Sequence, residues 1–246
     1  KKNKPLFVMI LPAVVLTVVM AYLPMSGLIL AFKNYRFDLG VFGSDWNGIE
    51  NFRYLFESGT GWLITKNTIV YNLVNLITSQ LLAILIAIFI SEINKKFFKK
   101  ISQSLIFLPY FISWVIVGTF VFAIFNYETG LLNSIIKALG GDPVNVYEMP
   151  GIWPVIIACF NSWKWCGHNS VIYIAAIVGV DAEIYEAASV DGANIFQRIR
   201  NITLPSIRAT IITMLLLNVG RILRGDFEMF YQIVGQNGQL FNATDV

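Results

Sequence analysis

Charge is scarce in this sequence. Only 13% of its 246 residues are Asp, Glu, Lys or Arg, against roughly 25% in soluble domains. So little charge cannot cover a water-facing surface, and a bilayer is the expected solvent. Cysteine is limited to Cys159 and Cys166, seven residues apart in one apolar segment. On a helix they stand about 10 Å apart along the axis, beyond disulfide reach, so they read as packing residues. The single histidine, His168, lacks a partner set with metal-ligand spacing. There is no G-x-x-x-x-G-K-[ST] phosphate loop and no serine nucleophile elbow. The expectation is a non-catalytic chain with no cofactor or metal of its own. Internal repeats and low-complexity tracts are missing, and the first apolar run is too long for a signal-peptide core. The start at Lys1 and the end at Val246 suggest a chain incomplete at both ends. A net charge of +3 carries no message about nucleic acid.

Apolar sequence is abundant: 56% of the residues are hydrophobic and the mean hydropathy is +0.65. Five segments are long enough to cross about 30 Å of hydrocarbon as helices. They run from Leu6 to Phe32, Leu63 to Ile90, Ser104 to Phe125, Ile152 to Val180 and Pro205 to Leu223, with kinks expected at Pro12 and Pro24. Backbone satisfaction in lipid requires helices or a closed barrel, and the alternating pattern of a barrel is absent. The predicted class is an all-α membrane protein. Lys1, Lys2 and Lys4, the cluster Lys95, Lys96, Lys99 and Lys100, and Arg198, Arg200 and Arg208 fall on one side. Lys33, Arg36, Arg53, Lys66 and Lys137 are spread thinly over longer loops on the other. That density predicts a cytoplasmic N-terminus. Short amphipathic helices are expected over 130–140, ending at a glycine, and over 51–56.

The connection between the fourth and fifth segments is the most informative stretch. It reads Glu186-Ala-Ala-Ser-Val-Asp-Gly192, then nine residues, then Ile202-Thr-Leu-Pro205. Ala182 to Val190 suits a short helix with acidic residues in its early turns, favourable against the helix dipole. Ala187 and Ala188 make a surface that another backbone can approach closely. Gly192 permits a turn that a side chain obstructs, and Pro205 suits the first turn of the next helix.

At every fixed position this loop matches the EAA signature of binding-protein-dependent ABC importer permeases, and the chain resembles that family from about Asn67 onward. Leu11-Pro12, Phe32-Lys-Asn-Tyr35 and Asn51-Phe-Arg-Tyr-Leu-Phe56 make it look most like maltose-permease-like subunits serving complex saccharides. The resemblance implies a type I ABC importer permease fold with six core helices. Five are visible here, and Asn242-Ala-Thr-Asp-Val246 reads as the approach to a sixth. It places a first helix and outer loop in 1–62 and the permease core in 63–246. It implies that Glu186, Ala187, Ala188, Asp191, Gly192, Ile202, Leu204 and Pro205 couple the chain to an ATPase. The implied partners are a homologous second permease, two cytoplasmic ATPase subunits that carry ATP and Mg, an extracytoplasmic substrate-binding protein and membrane lipid, but no nucleic acid. The implied location is the bacterial inner membrane.

Polar groups inside a membrane are functional candidates by default. The fourth segment contains Asn161-Ser-Trp-Lys-Trp-Cys-Gly-His-Asn-Ser170, in which Asn161, Lys164, Trp165 and His168 share one helical face. An indole beside amide and cationic donors suits a sugar ring, and in the related maltose permease the same helix lines the substrate pocket. Asn218 and Arg221 sit a helical step apart on the fifth segment. Plain alternatives exist: Asn161 and His168 bonding to neighbouring helices, and Lys164 paired with an acid or snorkelling. Lys164, Arg221 and Arg224 together suggest an acidic, uronate-containing oligosaccharide. Rival readings are another cargo within the superfamily, an ion-driven secondary transporter, which calls for paired repeats or broken helices and for intramembrane carboxylates, and a membrane scaffold with no transport role.

Overall fold

The structure is a computed structural model that describes residues 4–235, 240 and 244, without the side chain of Pro5. Lys1, Lys2 and, save for Thr244, the stretch 242–246 lie outside the described residues. The chain divides into two compact units, Lys1–Trp62 and Leu63–Val246.

In the first unit, helix α1 (Lys4–Thr17) continues through a π-helical turn, Val18–Tyr22, into a 3-10 run, Leu23–Phe32. Its apolar stretch Leu6–Phe32 is 27 residues long, enough to cross the hydrocarbon of a bilayer. Pro12 sits inside unbroken α-helix, whereas the hydrogen-bond register changes around Pro24, whose missing N–H removes one rung. A two-stranded antiparallel ribbon then departs from the all-helical expectation: β1 (Lys33–Asn34) pairs with β2 (Asp45–Trp46). The Phe32-Lys-Asn motif builds it. Phe32 stacks on Trp46 at 5.9 Å and packs on Phe52 at 5.4 Å. Buried Lys33 donates to the Phe42 carbonyl at 2.7 Å, and Asn51 of α2 (Glu50–Glu57) donates to the carbonyls of Ala31 and Lys33.

The second unit is built on α3 (Thr60–Ser91) from Leu63 onward, and on α7 (Trp153–Val178), a 26-residue helix. At 1.5 Å per residue α7 is about 39 Å long, enough to span a bilayer in spite of its polar middle. The third apolar segment is not the single straight helix expected over 104–125. It comprises α4 (Lys96–Phe107), a 3-10 turn Leu108–Phe111 and α5 (Trp114–Phe125), bent by 94°. Pro109 supplies no N–H for the helical ladder, and Ser113 starts α5 afresh by accepting from the Ile116 N–H. Helix α6 (Leu131–Ala138) follows; its fully buried Asn133 ties it to the Tyr127 and Val144 backbones.

The fifth segment also differs. After α8 (Ala182–Val190), a run from Ile195 to Ser206 meets α9 (Arg208–Val219) at a 58° bend. Pro205 therefore lies just before the bend, in a run that already contains a π turn over Ile199–Thr203. Helix α9 stops at Gly220, short of the expected Leu223, and the chain turns back into α10 (Phe227–Val234), an element with no counterpart in the sequence reading. Asp226 caps α10 by accepting from the Met229 N–H at 3.1 Å. Met229, Phe230, Ile233 and Val234 bury against Trp114, Val117 and Val121 of α5 and Trp153, Ile156 and Ile157 of α7. A second apolar cluster joins Ala83, Ala87 and Ile90 of α3 to Tyr173, Ile174 and Ile177 of α7 and to Ile207 at the α9 bend. These two clusters hold α3, α7 and α9 around the polar space described next.

Candidate functional site: a polar cavity and the loop beneath it

A cavity of about 840 Å³ opens between α3, α7, α9 and the start of α10. That size lies within the range of small-molecule sites. Helix α7 contributes Asn161, Trp165 and His168, α9 contributes Asn218, and the turn after it contributes Arg221. Five of the six residues picked from sequence for a substrate pathway thus line one space. Trp165 meets Tyr110 edge to face at 5.5 Å, and His168 stacks on Tyr110 at 4.4 Å. The π surfaces of α7 are therefore fixed by the bent third segment. Asn218 spends one amide hydrogen on the Met214 carbonyl, 2.7 Å away.

Lys164 is the sixth, and the structure corrects its placement. It is buried, outside the cavity lining, and its ammonium donates to the carbonyls of Tyr110, at 3.2 Å, and Ile112. It also lies 5.2 Å from the centre of the Trp114 ring. The 94° bend leaves carbonyls without helical partners in a medium that supplies no water, and Lys164 satisfies two of them. Its charge faces the break in the third segment. Lys164→Met is expected to lower the stability of the purified protein by about 2–3 kcal/mol, since stranded buried carbonyls cost ~1–3 kcal/mol each. Thermal unfolding checks this: a transport defect with unchanged unfolding would return Lys164 to the substrate.

The sequence reading missed the α3 wall. Thr68, Asn72, Asn75 and Ser79 recur at steps of four, three and four residues and all face the cavity. Polar residues at helical spacing in an otherwise apolar span were the available signal. Asn72 holds the cavity's rim in place, donating to the carbonyls of Ile222 at 2.8 Å and Arg224 at 3.2 Å. That rim carries Arg221 and Arg224 beside Asp226 and Glu228. Its cations are therefore accompanied by carboxylates from the same chain.

The loop between α7 and α9 has equally defined geometry. Asp181 caps α8 by accepting from the Glu183 N–H at 3.0 Å. At the other end Gly192 takes φ +77°; its N–H donates to the Ser189 carbonyl, and the Ala193 N–H donates to the Ala188 carbonyl. This pair of bonds is the Schellman closure, which needs a left-handed residue at that point. Asn194 and Gln197 form a reciprocal capping box that starts the next helical run. Tyr185 of α8 bonds to Thr203 at 3.0 Å, and Arg198 pairs with Glu92, just past α3, at 3.4 Å. Glu186, Ala187, Asp191, Gly192, Leu204 and Pro205 are exposed, and Ala188 and Ile202 are half-buried. Val190 and Phe196 leave large apolar surfaces uncovered.

Residues 81–241 match the family described as "Binding-protein-dependent transport system inner membrane component". The chain belongs to that family. The permease is 36% identical over 244 residues to the polygalacturonan/rhamnogalacturonan transport system permease protein YteP of Bacillus subtilis, covering 99% of this chain and 74% of that one. It is 33% identical over 231 residues to protein LplB of the same organism, covering 94% and 73%. Among solved structures, it superposes with a TM-score of 0.86 and 33% identity on a bacterial ABC transporter involved in the import of the acidic polysaccharide alginate, over 100% of this chain and 82% of that one. It also superposes, with a TM-score of 0.85 and 33% identity, on a bacterial alginate ABC transporter in complex with an alginate pentasaccharide-bound periplasmic protein, over 100% of this chain and 81% of that one. The fold is the type I importer permease fold, and the permease is an integral inner-membrane protein.

Proposed function

We propose that this permease forms half of the path through which an ATP-driven importer moves a uronate-containing oligosaccharide into the cytoplasm. The observation that carries the reading is the cavity itself, where the Trp165 indole, the amides of Asn161 and Asn218 and the guanidinium of Arg221 line one space within the bilayer-spanning helices. An indole face stacks on a sugar's C–H surface, amides pair with its hydroxyls, and guanidinium pairs with carboxylate. Relatives named for polygalacturonan/rhamnogalacturonan and alginate support an acidic cargo.

A homologous second permease completes the path, a periplasmic binding protein delivers cargo, and two ATPase subunits holding ATP and Mg bind from the cytoplasm. The N-terminus is cytoplasmic, and so is the loop of α8. That helix, with the exposed Glu186, Ala187 and Gly192 and the apolar Val190 and Phe196, is the surface that docks on an ATPase subunit. The Tyr185–Thr203 and Arg198–Glu92 contacts carry its movement to α9 and α3. ATP binding closes the ATPase pair and opens the cavity outward; hydrolysis reverses this. Catalysis stays with the ATPase, and this chain converts its motion into access.

The test is uptake by proteoliposomes containing the full-length transporter with its binding protein, comparing an oligogalacturonate with a neutral oligosaccharide of equal length. Preferred uptake of the oligogalacturonate supports the reading; equal uptake removes the acidic assignment. Arg221→Gln is expected to raise the KM for the acidic cargo about tenfold, the effect of losing one charge-assisted hydrogen bond, and to leave the neutral one nearly unchanged.

A further inference from the structure

The α3 wall carries a feature that neither the fold nor the α8 loop uses. Asn75 lies on the cavity side of α3 with 8% of its surface exposed, and its side-chain carbonyl oxygen is buried with no hydrogen-bond donor. Two of its polar neighbours on the same face have work within the protein. Thr68 donates to the Ile64 carbonyl, and Asn72 holds the Ile222–Arg224 turn. A helix that needed only to span lipid would place an apolar residue at position 75, because a buried amide oxygen without a donor destabilises the fold. An unpaired amide oxygen kept at that cost, on a residue that lines the cavity, points to a ligand that brings the donor once the amide turns toward the cavity.

We infer that Asn75 is a substrate-binding residue whose side-chain oxygen accepts a hydrogen bond from a saccharide hydroxyl. Helix α3 then forms a second binding wall of the cavity that Asn161 and Trp165 also line. The inference rests on the saccharide reading above and names one contact within it. From Thr68 to Ser79 the polar face extends about 16 Å along the helix axis, so this wall follows a chain of sugar rings and Asn75 sits near its middle. The contact reads a hydroxyl and not a carboxylate, because a carbonyl oxygen accepts and cannot donate. Discrimination for uronates therefore lies with the arginine rim, and affinity common to all oligosaccharides lies with α3.

Two variants in the full transporter test this, each assayed in proteoliposomes with an oligogalacturonate and a neutral oligosaccharide of the same length. Asn75→Leu keeps the bulk and removes the acceptor. It is expected to raise KM for both cargoes about fivefold, what one neutral hydrogen bond contributes. It is also expected to raise the melting temperature, because the buried unpaired oxygen is gone. Asn75→Asp keeps an acceptor but adds negative charge, and is expected to retain the neutral cargo and reject the oligogalacturonate. If Asn75→Leu lowers the melting temperature and leaves both KM values at wild type, Asn75 is structural and the inference fails. If Asn75→Asp treats the two cargoes alike, its side chain does not meet the saccharide and the inference fails again. Absence of any saccharide uptake by the wild-type transporter overturns the functional reading itself, whatever the variants do.

Discussion

Gly192→Val is expected to leave the permease in the membrane while removing most transport-coupled ATP hydrolysis, and Gly192→Asn is expected to retain most of it. Both substitutions add a side chain at a position where space is not limiting: a Cβ on Gly192 meets nothing within 4 Å. What limits the site is φ +77°. A left-handed backbone costs an ordinary L-residue about 1–2 kcal/mol, more for a β-branched one, and asparagine less. Relaxing that strain breaks the two closing bonds, from Gly192 to Ser189 and from Ala193 to Ala188, and displaces Val190 from the surface proposed above to dock on an ATPase subunit. A shift of about 1.4 kcal/mol in favour of the relaxed loop reduces the docked form about tenfold. The measurement is ATP hydrolysis stimulated by loaded binding protein in proteoliposomes. If valine and asparagine behave alike, the left-handed turn has no part in coupling, and the docking proposed for α8 loses its support from Gly192.

Gly167→Ala is expected to be the most damaging single methyl in α7. Its Cβ would stand 2.0 Å from the Ile106 carbonyl oxygen, 2.6 Å from the carbonyl carbon and 3.0 Å from the Cα of Phe107. All three are backbone atoms, so no side chain can rotate out of the way and α4 must move off α7. Overpacking of this kind costs at least the usual ~1–3 kcal/mol. Near 3 kcal/mol, that lowers the melting temperature by about 6–12 °C in a chain of this size. The same interface holds the Lys164 bonds to Tyr110 and Ile112 and the stacking of His168 on Tyr110, so separation would loosen these too. Thermal unfolding of the purified transporter tests it. A variant that unfolds at the wild-type temperature would mean that α4 and α7 do not approach each other this closely.

Much of this arrangement could be read in advance where the determinants are local. The α8 loop is the clearest instance. Ala182–Val190 is helical with the expected bounds, and Gly192 adopts the turn foreseen for it, because capping and left-handed turns depend on residues within one helical turn. The shared face of Asn161, Trp165 and His168 follows equally directly from 3.6-residue periodicity on one helix. Local pattern misled where a segment's apolar character said membrane but not straight. The 104–125 stretch has the composition of one span, yet Pro109 and the Ser113 cap divide it at a right angle. Helix α10 was overlooked because eight residues of mixed character look like loop until α5 and α7 bury one face of them.

Amino-acid order alone therefore determined the membrane class, the helical segments, the α8 loop and the polar face of α7. Each is encoded by composition or by spacing within a single element. Only tertiary structure decided which polar groups meet. It turned Lys164 to the open carbonyls of a broken helix and set Asn72 and Asn75 of α3, Asn161 of α7 and Asn218 of α9 around one cavity. The physical reason is that a lysine or amide in lipid must find a partner, and the identity of that partner depends on which helices pack against its own.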